Sequence, residues 1–126
     1  MLDTNFLMIP LKFRVDIFSE FDRICHFNYK LYIYEQSINE LKKIIKEQSG
    51  KDKKAAQFAL KLIKLKNINV IESKPQYVDS LILNNLSNDV IIATQDVALK
   101  KELLKKGASV IILRQKKYLQ LLKKAL

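Results

Sequence analysis

Cysteine and histidine each occur once in this 126-residue chain, glycine and proline twice each, and tryptophan not at all. The lone Cys25 excludes an intramolecular disulfide, and with His26 as the only other soft donor there are too few ligands for a structural zinc site. Two glycines and two prolines leave little room for linkers, and neither an internal repeat nor a low-complexity tract divides the chain. The expectation is a single domain over 1–126, long enough to bury a real core. No apolar run reaches the roughly 18 residues that a membrane span requires, and the start lacks the charged lead and apolar core of a signal peptide. These absences predict a protein with no membrane partner, working in a reducing, cytoplasmic setting.

What the chain has in plenty is lysine. Basic residues number 23 against 13 acidic ones, for a net charge of +10, and 20 of the 23 are Lys. Such an excess favours polyanions such as nucleic acid, because bound phosphates release their counterions. A Lys-rich solvated surface accounts for the charge equally well.

Apolar periodicity alternates between strand and helix. Strands are expected at 1–2, 31–34, 68–71, 90–94 and 109–113. Helices are expected at 15–25, 37–47 and 51–66, after Pro75, and at 97–106, the last closed by Gly107 in a C-terminal stop position. A basic amphipathic helix is expected over the tail, about 116–126. Alternation of this kind predicts parallel pairing with right-handed crossovers, hence an α/β fold with three layers, α/β/α, around a central parallel sheet of about five strands.

The ligand crevice of an open α/β sheet lies beyond the carboxyl ends of its strands. Four acids belong there: Asp3 after the first strand, Glu40 and Asp79 in the first turns of the helices after the second and third, and Asp96 after the fourth. Asp89 precedes the strand that Asp96 follows, which at about 3.3 Å per residue sets it some 20 Å away on the opposite edge, as a turn or capping residue. Each of the four also has a plain reading. Ser37-Ile38-Asn39-Glu40 matches a capping box, the expected role of Glu40 taken alone. Asp3 and Asp96 could be N-caps, and Asp79 a match to the helix dipole. Taken together, four crowded carboxylates repel one another and raise each other's pKa unless cations neutralise them, and Mg²⁺ or Mn²⁺ suits such an oxygen-rich, water-retaining set.

In order and spacing these residues resemble the PIN-domain nucleases. The resemblance is carried by Leu2-Asp3-Thr4-Asn5-Phe6-Leu7-Met8, Ile38-Asn39-Glu40-Leu41, Asp79-Ser80-Leu81-Ile82 and Ala93-Thr94-Gln95-Asp96. The opening, with the run Val110 to Lys117, looks most like archaeal single-domain members akin to the nuclease of the small-subunit processome, and VapC-type toxins are the other nearby branch. The resemblance implies a PIN-like fold and a metal-dependent endoribonuclease, in ribosomal RNA processing or as a toxin. Asp3, Glu40, Asp79 and Asp96 would then be the catalytic residues, holding one or two Mg²⁺ or Mn²⁺ ions for hydrolysis of an RNA phosphodiester to a 3′-hydroxyl and a 5′-phosphate. Thr4, Asn5 and Thr94 match polar positions beside the family's acids, where they would orient a carboxylate, although turn and capping chemistry explains them too.

The sequence departs from the family in a very short first strand and in a third motif reduced to Asp79. Lys12, Arg14, Lys42, Lys43 and Lys46 lie near the motifs and are candidates for RNA phosphates. Tyr34 and Phe6 are expected in the core, with base stacking the alternative. The tail's Tyr118, Leu121 and Leu122 are expected to dock on the sheet or a second subunit rather than present Lys116, Lys117, Lys123 and Lys124 to RNA. RNA, a second copy of the chain, an antitoxin protein and a pre-ribosomal particle are the partners that follow. A PIN-like RNA-binding or scaffold module without catalysis is the alternative reading.

Overall fold

A computed structural model describes residues 1–123. After a short 3₁₀ helix (Thr4–Met8), the order is α1 (Ile9–Phe13), α2 (Ile17–Ile24), β1 (Tyr32–Tyr34), α3 (Glu35–Glu47), α4 (Gly50–Leu65), β2 (Asn69–Ile71), α5 (Val78–Asn84), β3 (Ile91–Ala93), α6 (Val97–Lys105), β4 (Ser109–Arg114) and β5 (Tyr118–Leu122).

The expected five-stranded parallel sheet is corrected in two respects. The strands form two sheets, a parallel pair β1-β2 and a mixed sheet β3-β4-β5 in which β4 and β5 run antiparallel. The opening strand is reduced to a single parallel bridge, Leu2 with Ala93. Residues 1–3 nevertheless run between the two sheets: the Leu2 amide donates to Tyr32 O, and the Asp3 amide to Ala93 O, each at 2.9 Å. Asp3 is thereby fixed by its own backbone between the ends of β1 and β3.

Side chains alternate across the strands and fill two cores. Leu2, Ile33, Ala93, Ile111 and Leu119 pack with Phe6 and Phe21 against α1 to α4, whereas Tyr34, Ile92, Val110 and Ile112 pack on α5 and α6. Helices therefore cover both faces, as the layered α/β reading expects. Phe6 and Tyr34 are both buried, Phe6 stacking on Phe21 with centroids 5.9 Å apart. Among the described residues no helix is long and apolar enough to cross a membrane.

The expected basic tail helix is a strand. Leu119 and Leu121 join one core and Leu122 the other, so the apolar residues sit on alternate faces of β5, and pairing from Arg114↔Tyr118 to Val110↔Leu122 covers the open edge of β4. The outer edge of β5 is closed in turn by α2. The Leu119 amide donates to Glu20 Oε1 and its carbonyl accepts from Arg23 Nη2, both at 2.8 Å, while Arg23 Nε is paired with Glu20 Oε2 at 2.9 Å. The last positions of the expected helix, 124–126, lie outside the described residues.

Candidate active site

Asp3 ends the bridge segment and starts the 3₁₀ helix, so its carboxylate is held at the carboxyl ends of β1 and β3. Oδ1 accepts from the Thr4 amide at 2.8 Å and Oδ2 from the Thr94 hydroxyl at 2.7 Å. The side chain is buried. Burial raises its pKa above the ordinary Asp value; the bonds from Thr94 and Thr4 offset part of that, and the charges of Glu40 and Asp96 add to it.

Two buried threonines connect Asp3 to these neighbours, Thr94 through its hydroxyl and Thr4 through its amide. Thr94, the residue after β3, donates to Asp3 and accepts from the Asp96 amide at 3.0 Å. Asp96 then caps α6, its Oδ1 accepting from the Leu99 amide at 3.1 Å, so the sequence reading of an N-cap holds. On the other side the Thr4 hydroxyl donates to Glu40 Oε1 at 2.6 Å and shares a second bond with the Ser37 hydroxyl at 2.9 Å. One hydroxyl carries one proton, so Ser37 supplies the proton of that second bond.

The capping box expected at Ser37 and Glu40 is therefore corrected. The helix α3 begins two residues earlier, at Glu35, with Tyr34 in the cap position and no side-chain cap. Ser37 is thus already helical, on the buried face, and turns to Thr4. Glu40 follows on the same face, and its Oε2 accepts from the Val78 amide at 3.4 Å, reaching the start of α5.

Asp79 makes no hydrogen bond to the other three acids, although the neighbouring Val78 amide reaches Glu40. Asp79 itself is exposed, and its Oδ1 accepts from the adjacent Ser80 amide at 2.8 Å. Among the described residues no three His, Cys, Asp or Glu side chains are drawn together as ligands of one ion. Asn5 is exposed, and its carbonyl accepts from Gln95 Nε2 at 2.8 Å. Asp89 sits in the turn before β3 and lines a separate cavity with Phe27 and Tyr29, away from the acids, as expected.

The basic candidates divide. Lys12 lines a small polar cavity with Asn5, Met8, Gln95 and Asp96, but its ammonium is paired with Asp52 at 2.9 Å. Arg14 takes a left-handed conformation at the end of α1 and lines a cavity with Lys51 and Lys54. Lys42, Lys43 and Lys46 are exposed on α3. Sequence reading assigns Ser37 a capping role where the structure turns it to Thr4, and it passes over Lys100, one turn after Asp96.

Residues 1–116 match the family model described as a PIN like domain. The chain is 31% identical over 121 residues to Ribonuclease VapC4 of Methanocaldococcus jannaschii, covering 94% of this chain and 92% of that protein. It is likewise 31% identical over 117 residues to Ribonuclease VapC9 of Archaeoglobus fulgidus, covering 92% of this chain and 83% of the other. The fold is similar to a solved structure of the PIN domain endonuclease Utp24, with a TM-score of 0.80 at 20% identity over 99% of this chain and 92% of that one. With a family model matched across 1–116 and relatives aligned over nearly its whole length, the chain belongs to the PIN-like domain family.

Proposed function

We propose that the chain is a divalent-metal-dependent endoribonuclease, with Asp3, Glu40, Asp79 and Asp96 as its acids. The observation that carries this reading is the connected row Asp96, Thr94, Asp3, Thr4, Glu40 at the carboxyl edge of the strands, in which burial first, and then the charges of Glu40 and Asp96, raise the pKa of Asp3. The ribonuclease names of the two archaeal relatives support the reaction class. They favour the VapC-type branch over ribosomal RNA processing.

The donor set fits a hard cation. All its donors are oxygens, and each carboxylate oxygen already bonded by Thr4 or Thr94 keeps a further lone pair. Mg²⁺ ordinarily keeps several waters and takes one or two carboxylates, so an open set suits it better than a closed cage. Because no three acids converge on one point among the described residues, Asp3 with either Glu40 or Asp96 would hold the ion and water would fill the remaining positions, with Asp79 at the solvent side. When bound, the ion would supply a nucleophile from water at neutral pH and offset charge on the leaving oxygen. The chain's own part is positional: Thr94 fixes Asp3 against Asp96, and Thr4 fixes Glu40 with the help of Ser37.

Cleavage of single-stranded and structured RNA with Mn²⁺ or Mg²⁺ tests this, comparing wild type with Asp3→Asn and Asp96→Asn. Activity in wild type that both variants lose supports the nuclease. Equal inactivity of all three with RNA binding retained would leave the silent RNA-binding module, which the outward position of Asp79 favours. Growth arrest on expression, relieved by Asp96→Asn, would favour the toxin role over RNA processing.

A further inference from the structure

A cavity of about 420 Å³ opens beside Asp96, between α6 and the β4-β5 hairpin, and three cations line it: Lys100, Arg114 and Lys116. Among the described residues none of the three is ion-paired with a carboxylate. The cavity also shares Gln95 and Asp96 with the small polar cavity at Asn5 and Lys12, so the two are neighbours across Asp96.

The hairpin carrying Lys116 is built at a conformational cost. Gln115 and Lys116 both adopt positive φ, 52° and 55°, and the Lys117 amide donates back to Arg114 O at 2.9 Å. This is the tight turn in which Asn-Gly is favoured, because residues with a Cβ resist left-handed backbone. A long cation occupies the position that suits glycine best, and it lines the cavity with its ammonium over the Phe13 ring, 5.8 Å from the centroid.

We propose that this groove binds the phosphates of the RNA strand on one side of the cut, so that the substrate leaves the acids past Asp96 and along Lys100, Arg114 and Lys116. The inference rests on the endoribonuclease reading and gives its substrate a direction. It assigns phosphate binding to the Asp96 side of the site rather than to Lys42, Lys43 and Lys46, which lie beyond Glu40 on α3. Arg114 also donates through Nε to Gln120 Oε1 at 2.6 Å, which aims its guanidinium from the hairpin stem.

The test is fluorescence anisotropy of a labelled single-stranded RNA, without divalent cation so that no cleavage occurs, over a series of salt concentrations. The variants are Lys100→Ala, Lys116→Ala and Lys116→Gly; the last removes the cation and suits the positive φ, so the turn is kept. Each is expected to weaken binding severalfold and to lower the log–log salt slope by about 0.7, the contribution of one phosphate contact on a single strand. Melting temperature reports that each variant is folded, and Lys116→Gly should show no fall. Unchanged affinity and slope in Lys100→Ala and Lys116→Gly, with losses in Lys42→Ala and Lys43→Ala instead, would overturn the groove. The nuclease reading is judged separately: inactivity of wild type with Mn²⁺ and Mg²⁺ would defeat that reading, and the slopes would still decide the groove.

Discussion

Replacing Thr94 by valine keeps the shape of a fully buried side chain and removes one hydroxyl. That hydroxyl donates to Asp3 Oδ2 at 2.7 Å and accepts from the Asp96 amide at 3.0 Å. A hydrogen bond to a charged group contributes about 1.5–3 kcal/mol and a neutral one about 0.5–1.5 kcal/mol, so the loss should be about 2–4.5 kcal/mol. Thr94→Ser is the control: it keeps the hydroxyl and forfeits a buried methyl, about 0.8 kcal/mol. Urea unfolding at neutral pH measures both, and RNA cleavage with Mn²⁺ measures the consequence for the site. The valine variant should lose most activity, because Asp3 and the Asp96 turn are no longer held to one atom, while the serine variant keeps it. The stability gap should also narrow as pH falls through the raised pKa of Asp3, since the bond favours the ionised carboxylate. A valine variant no less stable than serine and equally active would refute the reasoning.

Three further outcomes follow. Thr4→Val should lower cleavage with little change in RNA affinity, since it frees Glu40 Oε1 and strands the Ser37 hydroxyl at a cost of about 1–3 kcal/mol; steady-state kinetics and urea unfolding read the two effects. Asp3→Asn should raise stability at neutral pH: a carboxyl whose folded pKa is raised favours folding below its unfolded pKa and loses that contribution as pH rises through the folded pKa, so the gain of the variant should vanish in acid. Glu20→Ala should cost about 1–3 kcal/mol by leaving the Leu119 amide without its partner. Because Arg23 and the Leu119 amide hold the Glu20 carboxyl below its ordinary pKa, that stabilisation should be present in wild type at neutral pH and disappear as pH falls through the folded value.

The nearness of Asp3 and Asp96 could be read from residue order, because both follow segments that pair in parallel and so end at a common edge. The start of α3 could not. Glu35 and Gln36 are neutral signals next to the strong capping pattern at Ser37, and the pull of Thr4 on the Ser37 hydroxyl comes from a segment 33 residues away. The orientation of Asp79 was equally hidden: its place in the first turn of α5 suits either a site or its neighbour's amide, and the Ser80 amide takes it.

The tail shows the limit of periodicity in short runs. Tyr118, Leu121 and Leu122 fit a helical stripe, but Leu119 and Leu121 fit a strand as well, and the open edge of β4 decides between them. The short helices after Asp3 left no periodic signal beyond the cap at Asp3, since Phe6 to Ile9 is apolar on every face and every one of those residues is buried.

The proposed divalent-cation site is built on Asp3 beside Glu40 and Asp96, held by Thr4 and Thr94. Calorimetric titration with Mn²⁺ at neutral pH tests it most directly. Saturable binding in wild type that Asp3→Asn abolishes and Asp89→Asn leaves intact is the predicted result. No binding at millimolar Mn²⁺, or binding that survives Asp3→Asn unchanged, would contradict it.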